Sequence, residues 1–128
     1  MRSTLLIVGF IVLLLVITLI GLYRYANESP YKISTNAANK LIAANKFAGI
    51  LDVRTAAERE VLGYLPGSYH VPAVDLDVII PQMFPDKNVH LLIYCNTGQR
   101  ARKAAEKLQA LGYKNTVYIV GSYRELIA

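Results

Sequence analysis

Cysteine is nearly absent: Cys95 is the only one in 128 residues. No disulfide can form within the chain, and no cysteine-rich metal site can be built. Charge is scarce as well, at 18% of residues against roughly 25% in an average soluble domain. A disordered chain would be charge-rich and poor in apolar residues, whereas this one is 54% hydrophobic. The basic excess is modest, with 14 Lys and Arg against 9 Asp and Glu. It forms no clustered stripe and no interleaved basic and aromatic surface, so nucleic acid is not an expected partner.

The apolar excess is concentrated at the N-terminus. Leu5 to Leu22 is a run of 18 residues without a charge. As a helix it is roughly 27 Å long, close to the hydrocarbon thickness of a bilayer. Arg2 and Arg24 flank it, and Tyr23 and Tyr25 follow at the depth where aromatic rings favour the membrane interface. A cleaved signal peptide would have a shorter apolar stretch and a small-x-small cleavage site, but the run ends in Tyr-Arg-Tyr-Ala. A buried core helix would carry a polar stripe. The reading is a single-pass membrane anchor over residues 1–25, in contact with the bilayer through residues 5–22. Arg2 before the span and Arg24 and Lys32 after it leave the positive-inside rule balanced.

Residues 26–30, ending Asn27-Glu28-Ser29-Pro30, read as a linker, and residues 31–128 as one domain of ordinary composition. Short β-favouring runs alternate with helical patterns. Strands are expected at Tyr31–Ile33, Ile50–Val53, Tyr69–Val71, Val89–Tyr94 and Thr116–Val120. Helices are expected over about 36–45, from a Thr55-x-x-Glu58 capping box, over 75–83, over Arg100–Leu111 and from Tyr123. Gly112 is placed to end the longest of these. The alternation predicts an α/β fold: an approximately five-stranded, mainly parallel sheet with helices on both faces, preceded by one transmembrane helix.

Chemistry concentrates in Tyr94-Cys95-Asn96-Thr97-Gly98-Gln99-Arg100-Ala101, which joins a buried strand to a helix N-terminus. In open α/β sheets, ligands bind at the carboxyl ends of strands. A thiol there faces the positive end of a helix dipole and unpaired backbone N–H groups, which stabilise a thiolate and can cradle an oxyanion. Gly98 lets the loop curl. Arg100 sits where a cation opposes the dipole, so it is read as meeting an anion. Arg102 and Lys103 are read as a solvated face. Asp52 and Arg54, at the end of another strand, are expected to pair and fasten the loop. His70 and His90 are read as structural, and Asp75 and Asp77 as marking a helix start.

Cys95-x-x-Gly98-x-Arg100-Ala101 resembles the active-site loop of the rhodanese family. Leu51-Asp52-Val53-Arg54-Thr55 resembles the family's Asp-Val-Arg strand end. Gly63-Tyr64-Leu65-Pro66-Gly67-Ser68-Tyr69-His70-Val71-Pro72 is similar to its Gly-His-Ile-Pro-Gly-Ala segment, with Tyr64 in place of the His. Leu111-Gly112-Tyr113 and Gly121-Ser122-Tyr123 resemble its Leu-Gly-Tyr turn and its Gly-Gly ending, without the Trp usual beyond it. The match spans residues 31–128 and looks most like small single-domain bacterial members, the periplasmic phage-shock type included.

The resemblance implies a thiosulfate sulfurtransferase. Cys95 would take sulfane sulfur from thiosulfate or a persulfide donor, hold it as a persulfide and pass it to a thiol or to cyanide. The loop residues Asn96, Thr97, Gly98, Gln99 and Arg100 would bind the substrate, with Asp52 and Arg54 structural beside them, and no metal or organic cofactor would be needed. An alternative is a membrane-tethered persulfide carrier with little small-molecule turnover. Related phosphatase and arsenate-reductase loops have five residues between Cys and Arg, where this chain has four, and phosphatases have His where Tyr94 stands. Similarity to the periplasmic type leans toward an extracytoplasmic domain.

Overall fold

The computed structural model of the chain describes residues 1–127; Ala128, the last residue of the expected domain, lies outside them. Helix α1 spans Arg2–Asn27, α2 Thr35–Ala43, α3 Ala56–Leu62, α4 Leu76–Met83 and α5 Gln99–Ala110. Strands are β1 at Gly49–Asp52, β2 at Tyr69–His70, β3 at Leu91–Tyr94 and β4 at Thr116–Tyr118. Short 3-10 turns lie at Ala73–Asp75 and Tyr123–Glu125. The terminal helix expected from Tyr123 is thus a single turn.

The sheet is parallel in the order β2-β1-β3-β4. It has four strands among the described residues, not five. The segment expected as the first strand makes one isolated bridge, Lys32 to Tyr118. Two backbone bonds hold it: Ile33 N–H to the Tyr118 carbonyl at 2.9 Å and Tyr118 N–H to the Tyr31 carbonyl at 3.0 Å. Pro30 precedes it with no N–H to give. Ser34 follows and already caps α2, accepting from Ala37 N–H at 3.0 Å. No room is left for a second pair.

Strand alternation builds the two faces of the core. Leu91, Ile93 and Cys95 join Leu51, Val53, Leu76, Ile80, Ala101, Ala105 and Leu108 in the larger cluster, beneath α4 and α5. Leu92 and Tyr94 point the other way, to Ala38 of α2, Leu65, Ile119 and Leu126. Helices therefore cover both faces. The register sets Asp52 beside both Tyr94 and His70. The chain thus leaves β1 and β3 at one rim, where the strand order reverses and α/β sheets bind their ligands.

Helix α1 is two parts in one. Its most apolar 18-residue window has a mean hydropathy of 3.2 and no buried residue. Its last turn is docked on the domain. Ala26 is fully buried, and its carbonyl accepts from the Tyr118 hydroxyl. The Tyr25 carbonyl accepts from the Arg102 guanidinium, which also stacks 4.1 Å from the Tyr25 ring. Lys32 Nζ donates to Asn27 Oδ1 at 2.8 Å. Helix and contact thus continue through Asn27.

Candidate active site

Cys95 leaves β3 at the floor of a loop that runs straight into α5, and it is 1% exposed. Its sulfur accepts the Gly98 N–H at 3.1 Å, which curls residues 95–98 into a bowl around Sγ. Gly98 is the residue before α5 and has φ +99°. A Cβ there would lie 2.9 Å from Val120 Cγ2 and 3.1 Å from Ala26 Cβ. Both the dihedral and the packing therefore require glycine. No side chain caps α5. Its first-turn N–H groups, which have no intrahelical acceptor, remain available to an anion held over the sulfur.

Asp52 and Arg54 form the backing of the bowl. The Asp52 carboxylate accepts from Arg54 through Nε at 2.9 Å and Nη2 at 2.8 Å, and from the Arg54 backbone N–H at 3.0 Å. It also accepts from Arg59 Nη1 and from the Tyr94 hydroxyl, both at 3.2 Å. Burial pushes the Asp52 carboxyl up, but the Arg54 hydrogen bonds outweigh it and hold the group below the usual carboxylate range. Arg54 is 1% exposed and stays charged because its carboxylate partner more than offsets its own burial. It reaches out of this pair to two loops, donating to Asn96 Oδ1 at 3.2 Å and to the Gly63 carbonyl at 2.7 Å. Pairing and loop-fastening are both present. His70 Nε2 donates to the Arg54 carbonyl at 2.8 Å, a structural contact.

Glu58 closes the rim. Its carboxylate takes both guanidinium nitrogens of Arg100, at 2.6 and 2.8 Å. It also accepts from Asn96 Nδ2 at 2.8 Å. The hydrogen bond from Arg100 dominates over partial burial and pulls the Glu58 carboxyl down to about 2. Arg100 therefore reaches the rim with its charge already matched by Glu58, and no side chain caps the first-turn N–H groups of α5. A continuous relay of hydrogen bonds, Asp52–Arg54–Asn96–Glu58–Arg100, thus ties the end of β1 and the start of α3 to the loop that carries Cys95. Thr97 and Gln99 stand further out, with the Thr97 hydroxyl donating to Gln99 Oε1. His90, Asp75 and Asp77 take no part in this relay. Among the described residues, no group of His, Cys, Asp and Glu is placed to hold a metal.

The sequence match follows this geometry. The family model for the rhodanese-like domain fits residues 34–128. The chain belongs to the rhodanese-like family. A putative sulfur carrier protein of Bacillus subtilis is 27% identical over 94 residues, covering 73% of this chain and 49% of that protein. The chain thus spans about half the length of that relative. The human thiosulfate:glutathione sulfurtransferase is 27% identical over 106 residues, covering 73% of this chain and 90% of its own length. A solved structure from Rhodopseudomonas palustris, of a protein of unknown function described as a possible tyrosine phosphatase, is 28% identical. It superposes with a TM-score of 0.68 over 81% of this chain and 86% of its own. The rhodanese-like fold, with its parallel sheet and helices on both faces, is what this chain shares with such structures.

Three parts of this rhodanese-like site are not apparent from the sequence. Glu58 was visible only as the fourth residue of a capping box. That box is present, with Thr55 Oγ1 accepting from Glu58 N–H and Glu58 accepting from Thr55 N–H, each at 3.2 Å. The same side chain then serves the rim. Arg102, expected on a solvated face, instead pins Tyr25 and pairs with Glu106 at 2.7 Å. Leu19, Leu22 and Tyr23 of the apolar helix line a groove together with Asn96, Thr97, Gln99 and Arg100. A run read only as membrane-facing gives no sequence signal for that.

Proposed function

We propose that this rhodanese-like chain is a membrane-anchored sulfurtransferase that carries sulfane sulfur on Cys95. The observation that carries this reading is the bowl itself, with a thiol sulfur accepting the Gly98 N–H at 3.1 Å beneath an uncapped helix N-terminus. The donor is thiosulfate or a persulfide. The Cys95 thiolate attacks the sulfane sulfur of thiosulfate, the S–S bond breaks, and sulfite leaves with the electron pair. Cys95 is left as a persulfide anion, a further acceptor for the loop N–H groups. A thiolate or cyanide then attacks the outer sulfur and regenerates the Cys95 thiolate, so the kinetics are ping-pong. The four-residue spacing between Cys95 and Arg100 favours a sulfur atom over a phosphoryl group. Sulfite release from thiosulfate, with cyanide as acceptor, tests the proposal. Cys95→Ser reduces it to background, and normal turnover by that variant overturns the mechanism.

A second reading is supported by the buried thiol and by similarity to the putative sulfur carrier. In it the chain holds the persulfide and passes it to a protein partner, with little turnover of small acceptors. Mass spectrometry after thiosulfate treatment separates the two. A carrier keeps an added 32 Da on Cys95 (~32 Da for one sulfur) when cyanide is supplied, and an enzyme loses it. The anchor reading rests on residues 5–22 and the interfacial Tyr23 and Tyr25. Resemblance to the periplasmic type favours an extracytoplasmic domain, which protease accessibility in intact against permeabilised cells decides.

A further inference from the structure

The groove beside the bowl has two unlike walls. One consists of Asn96, Thr97, Gln99 and Arg100 from the active-site loop, and the other of Leu19, Leu22 and Tyr23 from α1, with Val120 and Gly121 closing the end. Its volume is about 610 Å³, ample for a chain of several methylenes. Leu19 and Leu22 are 64% and 45% exposed, so apolar surface is left uncovered within the site. The wall is fixed rather than incidental. Ala26 is wedged against Gly98, and Arg102 and Tyr118 tie the last turn of α1 to α5 and β4. Leu19 and Leu22 also lie in the last turn and a half of the 5–22 run. With that run in a bilayer, the groove opens where hydrocarbon meets headgroups, the layer in which amphiphilic molecules concentrate.

We infer that the sulfur donor of this chain is an amphiphile: an anionic sulfane-sulfur head bound over Cys95 by the loop N–H groups, with an apolar tail lying along Leu19 and Leu22. The inference rests on the proposed sulfur transfer and anchor, and it names the donor class. Alkanethiosulfonates supply the simplest form of this chemistry. The Cys95 thiolate attacks the terminal sulfur of R–SO2–S⁻ and the S–S bond breaks. An alkanesulfinate leaves with the electron pair, and Cys95 is left as the persulfide anion. Cyanide then takes the outer sulfur as thiocyanate. A small inorganic donor uses the polar wall alone, and a tailed donor uses both.

The test compares methane-, butane- and octanethiosulfonate as donors to the full chain in nanodiscs, with cyanide as acceptor and sulfinate release as readout. A fully buried methylene is worth roughly fourfold in binding. In a half-open groove the octane compound should exceed the methane compound in kcat/KM by at least about tenfold. In Leu19→Ser/Leu22→Ser, reconstituted in the same discs, the octane-to-methane ratio should fall to within about twofold of unity. Because each ratio compares donors on one protein in one bilayer, any partitioning gain common to both proteins cancels between them. A flat chain-length profile in the unmodified chain, as a lipid acyl tail filling the groove would give, overturns the inference and leaves sulfur transfer standing. A steep profile that the double variant retains also overturns it, since the preference then lies in the bilayer. If no thiosulfonate and no thiosulfate releases product, sulfur transfer itself fails, and the donor class with it.

Discussion

Three residues around Cys95 have separable jobs. Asp52 neutralises a fully buried guanidinium, so Asp52→Ala leaves Arg54 charged and unpaired. Breaking a buried pair in this way costs about 3–5 kcal/mol, readable as a lowered urea midpoint. Gly98→Ala forces a Cβ against Val120 and Ala26 at a positive φ. It should cut sulfur transfer more than a hundredfold while the far-UV circular dichroism keeps its native shape. Glu58 offers a pH signature. Its carboxyl is held at about 2 when folded, against 4.5 ordinarily. Its contribution is therefore complete above about pH 5 and is lost as pH falls toward 2. The stability gap between the native chain and Glu58→Gln should be constant from pH 8 to 5 and close below it, as acid titrations of thermal unfolding would register. Cys95 and Gly98 are legible in the sequence because both lie within one short motif. Glu58 is not, because Thr55-x-x-Glu58 is already explained locally by a capping box, and its link to Arg100 spans 42 residues.

At the scale of elements, the longer helices and the buried strands follow from pattern alone. Val89–Tyr94 and Arg100–Leu111 correspond to β3 and α5 with shifts of one or two residues. The expected first strand shows where pattern stops. Tyr31–Ile33 has suitable residues, but a proline and a helix cap on either side reduce it to a single bridge. Edge pairing depends on what flanks a segment as much as on its composition. The docking of α1 was equally hidden, since an apolar helix end and an Arg in an amphipathic helix each have a simpler explanation. Tyr118→Phe removes the hydroxyl that bonds the Ala26 carbonyl. It should cost about 1 kcal/mol and raise amide exchange at residues 26–28 while β3 stays protected. Thr55→Ala undoes the N-cap of α3, a loss of about 1 kcal/mol. The Glu58–Arg100 contact should loosen with it, and the apparent KM for thiosulfate should change more than kcat.

For the molecule as a whole, composition alone suggests one over-apolar domain, and locating the excess separates an N-terminal helix from a rhodanese-like domain of ordinary composition. The two are not joined by a slack tether. Only about 6 Å of helix, four residues at 1.5 Å each, separates Leu22 from the buried Ala26. With residues 5–22 in a bilayer, the domain should stay with the membrane fraction after a carbonate wash, and its junction at residues 24–30 should resist protease that cuts a flexible linker readily. The docked last turn has a mechanical consequence. A domain on a loose string samples a hemisphere, whereas this one, anchored as proposed, would hold the mouth of the Cys95 bowl at one altitude and one azimuth above the lipid. Encounters with any molecule confined to that layer then become a search in two dimensions, with the approach direction already set by Ala26.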